Sequence, residues 1–251
     1  MDEKKKRTPQ SKRQAMREER ARKARRQRIT VIASILGVII LVVALVLLSN
    51  QQRASTPVGA FTTITPLGYT QTDGVKIGNP EAKVVIDIYE DFKCSACQSF
   101  TQYIEPEVIK NLVDTGQAYY VFHNLPFMDD STMIKESDLA AHAVMCAAEQ
   151  NRFWDYKAML YANLNFVAGE FNDARLKAFA ESLGLNTKDF NACYEDKKYQ
   201  PDIDLDVAQA NSMSITGTPS VFVNGQAVAP GYVPTFEQIK EAVDKALAQV
   251  Q

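Results

Sequence analysis

The chain has 251 residues, of which 46% are hydrophobic and 23% are charged. These proportions favour one sizeable folded domain or two small ones, and they exclude a largely disordered chain, a collagen-like fibre and a small disulfide-stapled scaffold. The net charge of −2 conceals an asymmetry. Residues 1–28 hold 13 Lys and Arg against 4 Asp and Glu, whereas residues 49–251 hold 15 against 26. The acidic part is a poor partner for nucleic acid, since basic side chains make the phosphate contacts.

Between these two parts lies an apolar stretch, residues 29–48, which contains no charged residue. A bilayer core about 30 Å thick is crossed by a helix of roughly 20 apolar residues, so the length predicts one transmembrane helix. A buried core helix is usually shorter and apolar on one side only, and a cleaved signal peptide has a shorter apolar stretch before a small-residue cleavage site. We therefore favour an uncleaved single-pass anchor in the cell membrane.

The charges around the anchor predict its orientation. Lys and Arg crowd residues 4–28 and are nearly absent just after the apolar stretch. By the positive-inside rule, residues 1–28 form a basic cytoplasmic tail and the chain after residue 48 is extracytoplasmic. Residues 49–77, where Pro and Gly occur among Gln, Ser and Thr, are predicted to be a linker, and residues 78–251 the folded domain.

The folded domain begins with a strand–helix–strand pattern. Short β-branched and apolar runs predict strands at Val84–Tyr89 and Ala118–Phe122. The helix between them, residues 94–115, contains Pro106, which is expected to kink it, and stops at Gly116. This order implies a parallel pair of strands joined by a right-handed crossover.

The rest of the domain reads as a helical block followed by a hairpin and a last helix. About residues 130–212 are rich in Ala, Leu, Glu and Lys at helical spacing, which predicts three or four short helices. Strands at Ser220–Val223 and Gln226–Val228 flank an Asn224-Gly225 turn, and an amphipathic helix runs from Thr235 to about Val250. The fold class is therefore α/β, with a helical insertion between a βαβ half and a ββα half, preceded by one transmembrane helix.

The four cysteines lie in the part expected outside the cytoplasm, where disulfides persist. Cys94-Ser95-Ala96-Cys97 is a C-x-x-C motif that follows a predicted strand and opens a helix. Unpaired N–H groups and the helix dipole favour a thiolate on Cys94. Cys97 lies one turn later, where it can close or open a disulfide with Cys94. The motif therefore predicts thiol–disulfide exchange.

Two other readings of the motif carry less weight. A structural disulfide that closes so short a loop contributes only about 2 kcal/mol in the chain-entropy model. A closed zinc site needs two further ligands, and the sequence has no second C-x-x-C and no H-x-x-x-H motif. The candidates for those ligands are Cys146, Cys193, His123 and His142. No metal and no organic cofactor is expected.

Cys146 and Cys193 are far apart within the helical block. A structural disulfide between them is the favoured prediction, and it is worth roughly 4 kcal/mol in the chain-entropy model. The alternatives are two buried free thiols or a second redox pair.

Four segments resemble the DsbA-like branch of the thioredoxin superfamily, in order over about residues 76–250. They are Gly78-Asn79-Pro80, Glu90–Cys97, Ala147–Trp154 and Ile215–Gly225. The resemblance implies a thioredoxin fold with a helical insertion, an exposed nucleophile at Cys94 and a buried resolving partner at Cys97. It also implies that Pro219 is cis and faces the motif, so that the backbone of Thr218 pairs with an extended substrate peptide.

The chain departs from that family at two places. Many relatives have Pro-x between the cysteines, and strong oxidases often have Pro-His, whereas this chain has Ser95-Ala96. Many thioredoxin-like proteins place a buried carboxylate six residues before the first cysteine, and here that residue is Ile88. Both departures affect the redox potential, so the motif alone does not choose between oxidation and reduction.

The predicted function is that of a membrane-anchored, extracytoplasmic protein disulfide oxidase. It would donate its Cys94–Cys97 disulfide to reduced secreted or membrane proteins, because no glutathione or thioredoxin pool keeps thiols reduced outside the cytoplasm. The resemblance implies reoxidation by a quinone-linked membrane partner of the DsbB or VKOR type. The alternatives are a disulfide reductase or isomerase, for example in cytochrome maturation, a non-catalytic thioredoxin-like binding module, and a zinc-binding domain.

Overall fold

The computed structural model describes residues 9–54, 58–131 and 135–249 and divides into two compact units, Met1–Ser55 and Thr56–Gln251. Parts of the predicted tail and linker, the residues 132–134 of the insertion and the last two residues lie outside the described residues. The described residues of the first unit form one helix, α1 (Pro9–Ala54). Within it, Arg25–Leu45 is the one described stretch that is long and apolar enough to cross a membrane. Its length and composition fit a single-pass anchor.

The second unit is built on a six-stranded mixed sheet with the strand order β1-β2-β4-β3-β5-β6. Its strands are β1 (Thr72–Asp73), β2 (Lys76–Ile77), β3 (Val85–Glu90), β4 (Tyr119–Asn124), β5 (Ser220–Val223) and β6 (Gln226–Val228). The neighbours β3 and β4 are parallel, and every other pair in the sheet is antiparallel. The predicted parallel pair and the predicted hairpin are therefore confirmed, with β3 beginning one residue later than expected and β4 extending to Asn124.

The helix that connects the parallel strands is broken rather than kinked. It consists of α2 (Ser95–Tyr103), α3 (Glu105–Val108) and a π-helical turn at Ile109–Val113. Pro106 stands in the first turn of α3, where its missing N–H leaves no hydrogen bond unmade. The break therefore gives the proline a tolerated position.

The helical insertion contains five helices within residues 135–212, which the structure describes in full, so the expected three or four is too few. They are α4 (Glu136–Ala148), α5 (Phe153–Ala162), α6 (Asp173–Ser182), α7 (Thr187–Glu195) and α8 (Gln200–Ser212). A disulfide between Cys146 and Cys193, with an S–S distance of 2.02 Å, joins α4 to α7. The last helix, α9 (Phe236–Gln249), closes the domain.

The two faces of the sheet are covered differently. Ile86 and Ile88 belong to a large core that also includes side chains of α2, α4, α5 and α9. Tyr89 has the opposite strand parity and lies in a smaller cluster with Phe222 and Ala210 of α8. The C-x-x-C motif follows this strand at the border of the large core, which includes Cys97 and against which Cys94 packs.

The predicted linker is wrong at both of its ends. Its first residues, 49–54, continue helix α1. Its last residues form β1 and β2, and β2 pairs with β4. Between them, the backbone N–H and carbonyl of Thr62 bond to the side chain of Asn163 at 2.7 and 2.8 Å. Phe61 packs on Phe179 with ring centroids 5.0 Å apart. Residues 58–77 therefore belong to the folded unit, because their apolar side chains pack into or against its core.

Candidate active site

Cys94 stands at the cap of helix α2, at the end of a tight turn that follows β3. The turn is closed by a hydrogen bond from the Cys94 N–H to the Asp91 carbonyl, at 3.1 Å. Asp91 is buried and accepts bonds from the Lys93 N–H at 2.6 Å and from the Ser137 hydroxyl at 2.7 Å. No side chain caps the first turn of the helix. The N–H groups of Ala96 and Cys97 are therefore free to bond to the Cys94 sulfur.

The two cysteines of the motif are free thiols that differ in exposure and acidity. Cys94 is half-buried and Cys97 is fully buried. A hydrogen bond from the Cys97 thiol is the main reason why the pKa of Cys94 falls to about 5. Burial opposes this fall, whereas the side chain of Thr218 and the N–H groups of Cys97 and Ala96 add to it. Burial, followed by the bond to Cys94, raises the pKa of Cys97 well above its usual value. The pair thus combines an accessible thiolate with an inaccessible thiol.

The proline loop lies against this pair. The Thr218–Pro219 peptide bond is cis. Ser220 of β5 is paired with Tyr89 of β3, so the loop before β5 lies beyond the end of β3, next to the cysteine turn. In its protonated form, the Cys94 thiol donates a hydrogen bond of 3.3 Å to the Thr218 carbonyl. Tertiary structure therefore joins two motifs that are separated by more than a hundred residues in the chain.

Between the cysteines, Ser95 is exposed and Ala96 is half-buried. Neither side chain can supply a positive charge to the thiolate. Strong oxidases often have a histidine where this chain has Ala96. Here the N–H groups at the start of α2 and the Cys97 thiol stabilise the Cys94 thiolate instead.

A buried ionic cluster beneath the motif was not anticipated from the sequence. Glu90 is 0% exposed, and its carboxylate lies 3.1 Å from the Lys157 ammonium. Lys157 also pairs with Glu105, which accepts a bond of 2.9 Å from the Tyr120 hydroxyl. The Tyr161 hydroxyl donates to Glu90 at 3.0 Å. Burial raises the pKa of Glu90 to about 7, against the lowering effect of Lys157.

Glu90 supplies the buried carboxylate that Ile88 does not. Its negative charge is one cause of the raised Cys97 pKa. The burial of Glu90 follows from the alternation of side chains along β3. Residues 86, 88 and 90 share one face of the strand, and the first two are core isoleucines.

The candidate zinc ligands are not gathered at Cys94. Cys146 and Cys193 are bonded to each other. His123 lies between Asp206 and Asp87, at 2.8 and 3.0 Å. His142 is buried against Gln200. Within the described residues, no group of three or more His, Cys, Asp and Glu is arranged to hold a metal ion.

Comparison with known proteins gives a consistent family. A family model described as Thioredoxin matches residues 70–245. A Bacillus cereus protein named "Probable disulfide bond formation protein D" is 28% identical over 176 residues, which cover 68% of this chain and 77% of that protein. The structure of oxidised BdbD from Bacillus subtilis superposes with a TM-score of 0.61 at 21% identity and covers 74% of this chain and 100% of that chain.

One relative shares only part of its length with this chain. The Salinispora tropica protein named "Na(+)/H(+) antiporter NhaA 3" is 33% identical over 174 residues, which cover 69% of this chain but 25% of that protein. The likeness concerns the domain that holds the C-x-x-C motif. Because the family model covers more than half of the sequence, the chain belongs to the thioredoxin family, as a DsbA-like member.

Proposed function

We propose that this protein is a membrane-anchored thiol–disulfide oxidoreductase that works as an extracytoplasmic disulfide oxidase. One observation carries the proposal: the half-buried Cys94, with a pKa of about 5, lies beside the fully buried Cys97, whose pKa is raised. Exchange needs one reactive thiolate and a second thiol that stays protonated until it resolves a mixed disulfide, and this pair has both.

In the oxidising direction, a substrate thiolate attacks Cys94 Sγ and breaks the Cys94–Cys97 bond. Cys97 leaves as a thiolate and takes up a proton. A second substrate thiolate then attacks the substrate sulfur of the mixed disulfide, and Cys94 leaves as a thiolate. The substrate loses two electrons and two protons, and the C-x-x-C pair is reduced.

The acidity of Cys94 supports the oxidising direction. A thiolate that is stabilised in the reduced form makes the disulfide a better electron acceptor, as the contrast between DsbA, with a pKa of about 3.5, and thioredoxin, with about 7, illustrates. The pKa of Cys94, about 5, lies between these two. A low pKa also makes Cys94 the better leaving group from the mixed disulfide.

The anchor supports an extracytoplasmic site. Basic residues precede the apolar stretch of α1, which by the positive-inside rule leaves the second unit outside the cytoplasm. A quinone-linked membrane oxidoreductase of the DsbB or VKOR type would accept the two electrons from Cys94 and Cys97. Reduced protein thiols are the substrates, and Thr218, Pro219, Ser95 and Ala96 form the surface that they meet.

A redox titration of the full chain in detergent tests the direction. Equilibration with glutathione should give a potential nearer to about −120 mV than to about −270 mV, the values of DsbA and thioredoxin. The protein should oxidise a dithiol peptide and reduce insulin poorly. A potential near the thioredoxin value together with efficient insulin reduction would make the protein a reductase instead.

Two variants test the roles of the two cysteines, and one labelling experiment tests the extracytoplasmic location. Cys94→Ser should abolish exchange, and Cys97→Ser should accumulate mixed disulfides between Cys94 and its substrates. A membrane-impermeant thiol reagent should label Cys94 in intact cells that express Cys97→Ser. Labelling only after lysis would contradict the extracytoplasmic location.

A further inference from the structure

His123 of β4 ties helix α8 to the sheet. Its Nδ1 lies 2.8 Å from an oxygen of Asp206 in α8, and its Nε2 lies 3.0 Å from an oxygen of Asp87 in β3. An ionised carboxylate only accepts hydrogen bonds, so both ring nitrogens donate and the ring is an imidazolium. The second oxygen of Asp206 accepts a bond of 2.8 Å from the Asn124 N–H. Asp206 is therefore bound to β4 through both of its oxygens.

Apolar packing holds the following turns of α8 on the same face of the sheet. The ring of Tyr89 is stacked on the His123 ring at 4.5 Å and meets the ring of Phe222 edge-on at 5.9 Å. Tyr89 and Phe222 form a cluster of buried residues with Ala210 of α8. The Tyr89 hydroxyl donates a bond of 3.7 Å to the sulfur of Met213, the residue that caps the end of α8. The polar contact of α8 is thus followed, one to two turns later, by apolar ones.

The chain between α8 and Thr218 has little freedom. The Ile215 N–H donates a bond of 3.0 Å to the Ala210 carbonyl. The Ser220 hydroxyl donates one of 2.8 Å to the Gly217 carbonyl. These bonds fix both ends of the short segment that leads from α8 to Thr218. A displacement of α8 would therefore be passed on to Thr218, because no loose loop absorbs it.

The contacts of Thr218 with Cys94 favour the reduced form of the redox pair. The Thr218 carbonyl accepts a bond of 3.3 Å from the protonated Cys94 thiol, and the Thr218 side chain is one of the groups that lower the pKa of this thiol. A sulfur within the Cys94–Cys97 disulfide has neither a proton nor a charge, so it gains nothing from either interaction. The position of Thr218 therefore enters the balance between the reduced and the oxidised form.

We propose that His123 and Asp206 are positioning residues for the redox reaction. By holding α8 on the sheet, they fix Thr218 against Cys94 and so favour the dithiol form of the pair. His123 lies on the face of the sheet opposite the large core that contains Cys97, so it acts through α8 rather than by contact with the sulfurs. The inference rests on the proposed exchange at the two cysteines, but not on the direction in which exchange runs.

The redox equilibrium of the full chain with glutathione, measured in detergent, tests the inference. In this equilibrium two glutathione thiols reduce the protein disulfide and become one glutathione disulfide. In Asp206→Ala the equilibrium constant for this reduction should fall about three- to tenfold, because the reduced form loses the benefit of a hydrogen bond of ordinary net strength. A residue that only stabilised the fold would lower the stability of both redox forms equally and leave this constant unchanged.

A second variant breaks the same link from the other side. His123→Phe keeps a ring to stack on Tyr89 but removes both hydrogen bonds, so the constant should fall to a similar extent. The double variant with Asp206→Ala should show no further fall, because two changes that break one link are not additive.

Two other aspartates separate the link to α8 from a general effect of charge. Asp87→Ala removes the carboxylate on the other side of the imidazolium but leaves the bond to Asp206, so the constant should fall less than in Asp206→Ala. Asp204→Ala removes an exposed carboxylate that is bonded to Gln200 of the same helix at 2.9 Å, and it should leave the constant unchanged. Circular dichroism and thermal unfolding of both redox forms check that each variant is folded.

The ultraviolet absorbance of the Cys94 thiolate gives a second readout. Its titration midpoint should move to higher pH in Asp206→Ala and His123→Phe, because the thiolate loses the contribution of Thr218. Asp206→Asn keeps the volume of the side chain and an oxygen for the Asn124 N–H, so it should fold even if Asp206→Ala does not. It should shift both readouts in the same direction.

An unchanged equilibrium constant in the folded variants of His123 and Asp206 would overturn the positioning role and leave the proposed function intact. An equally large fall in Asp87→Ala or Asp204→Ala would also overturn it, since the effect would then be one of charge alone. A wild-type chain that exchanges no thiols with glutathione would overturn the proposed function as well.

Discussion

The ammonium of Lys157 lies 3.1 Å from the carboxylate of Glu90, and both side chains are almost completely excluded from water. This ion pair sits beneath the cysteine motif, where the charge of Glu90 acts on the buried thiol of Cys97. Burial raises the pKa of Glu90 above its usual range, against the lowering effect of Lys157. The cluster is therefore placed to influence the acidity of Cys97.

The first prediction concerns Glu90→Gln. Removing the negative charge should lower the pKa of Cys97, because the charge raises it. The cost to stability should be about 1 kcal/mol, since Gln resembles the protonated Glu90 and Lys157 keeps Glu105 as a partner. The pH dependence of Cys97 alkylation, measured in a Cys94→Ser background, tests this change.

Glu105→Gln is the matched control for that experiment, because Glu105 binds the same lysine but does not contribute to the shift of Cys97. It should lower stability to a similar extent and leave the alkylation profile of Cys97 in place. Equal profiles for both variants would show that Glu90 does not tune the thiol.

The second prediction concerns the pH dependence of the reduced form. The pKa of Cys94 is lowered to about 5 in the folded state, from an ordinary value of 9. A lowered pKa adds stability that is complete above the unfolded value and is lost as pH falls through the folded value. The reduced form should therefore gain stability over the oxidised form as pH rises from about 5 to 9.

Urea unfolding of both redox forms across this range measures the difference. The Cys94→Ser variant forms neither this thiolate nor the disulfide, so its stability should show no comparable rise over the same pH range. A reduced form whose advantage is independent of pH would contradict the assigned acidity of Cys94.

The third prediction concerns the disulfide between α4 and α7. Replacing both Cys146 and Cys193 by Ala should lower the free energy of unfolding by roughly 4 kcal/mol, because the unfolded chain regains the freedom of a long loop. The rate of exchange at Cys94 and Cys97 should be unchanged at a temperature where the variant is folded. Loss of exchange in a folded variant would indicate that the second pair takes part in the chemistry.

The fourth prediction concerns His123. Burial works to lower its pKa, but bonds to Asp206 and Asp87 outweigh burial and raise the pKa to about 9. A raised pKa contributes stability that is complete below the unfolded value of about 6.5 and is lost as pH rises through 9. The stability difference between the wild type and His123→Gln should therefore shrink between about pH 6.5 and 9.

Asp206 belongs to α8, the helix that leads into the proline loop, so this contact also ties the loop's support to the sheet. The pH dependence of stability should be weaker in Asp206→Asn than in the wild type. Asp204→Asn, on the same helix, should keep the wild-type dependence. An unaltered pH profile in Asp206→Asn would exclude the contact as its source.

Local patterns in the sequence were sufficient for much of the fold. The β-branched run at 84–89, the Asn224-Gly225 turn and the apolar stretch in α1 each express a preference of a few neighbouring residues, so they were identified without knowledge of distant contacts. Pro106 predicts an irregular helix for the same reason, and the break at Ile104 lies two residues before it.

The roles of residues 58–77 and of Glu90 depend on distant partners, which local patterns in the sequence do not show. Phe61 looks like a linker residue until Phe179, far along the chain, covers it. Glu90 looks like a surface charge until Lys157 of α5 compensates it in the core. Neither partner can be found from spacing alone.

The sequence by itself determined the chemistry that is available: two cysteines one helical turn apart, a proline-containing motif far downstream and an apolar segment of membrane length. Only the tertiary structure decided which sulfur meets solvent, which carbonyl faces it and which carboxylate lies beneath it. The physical reason is that the identity of a thiol is local, whereas its acidity is set by burial, hydrogen bonds and charges contributed by segments that folding brings together.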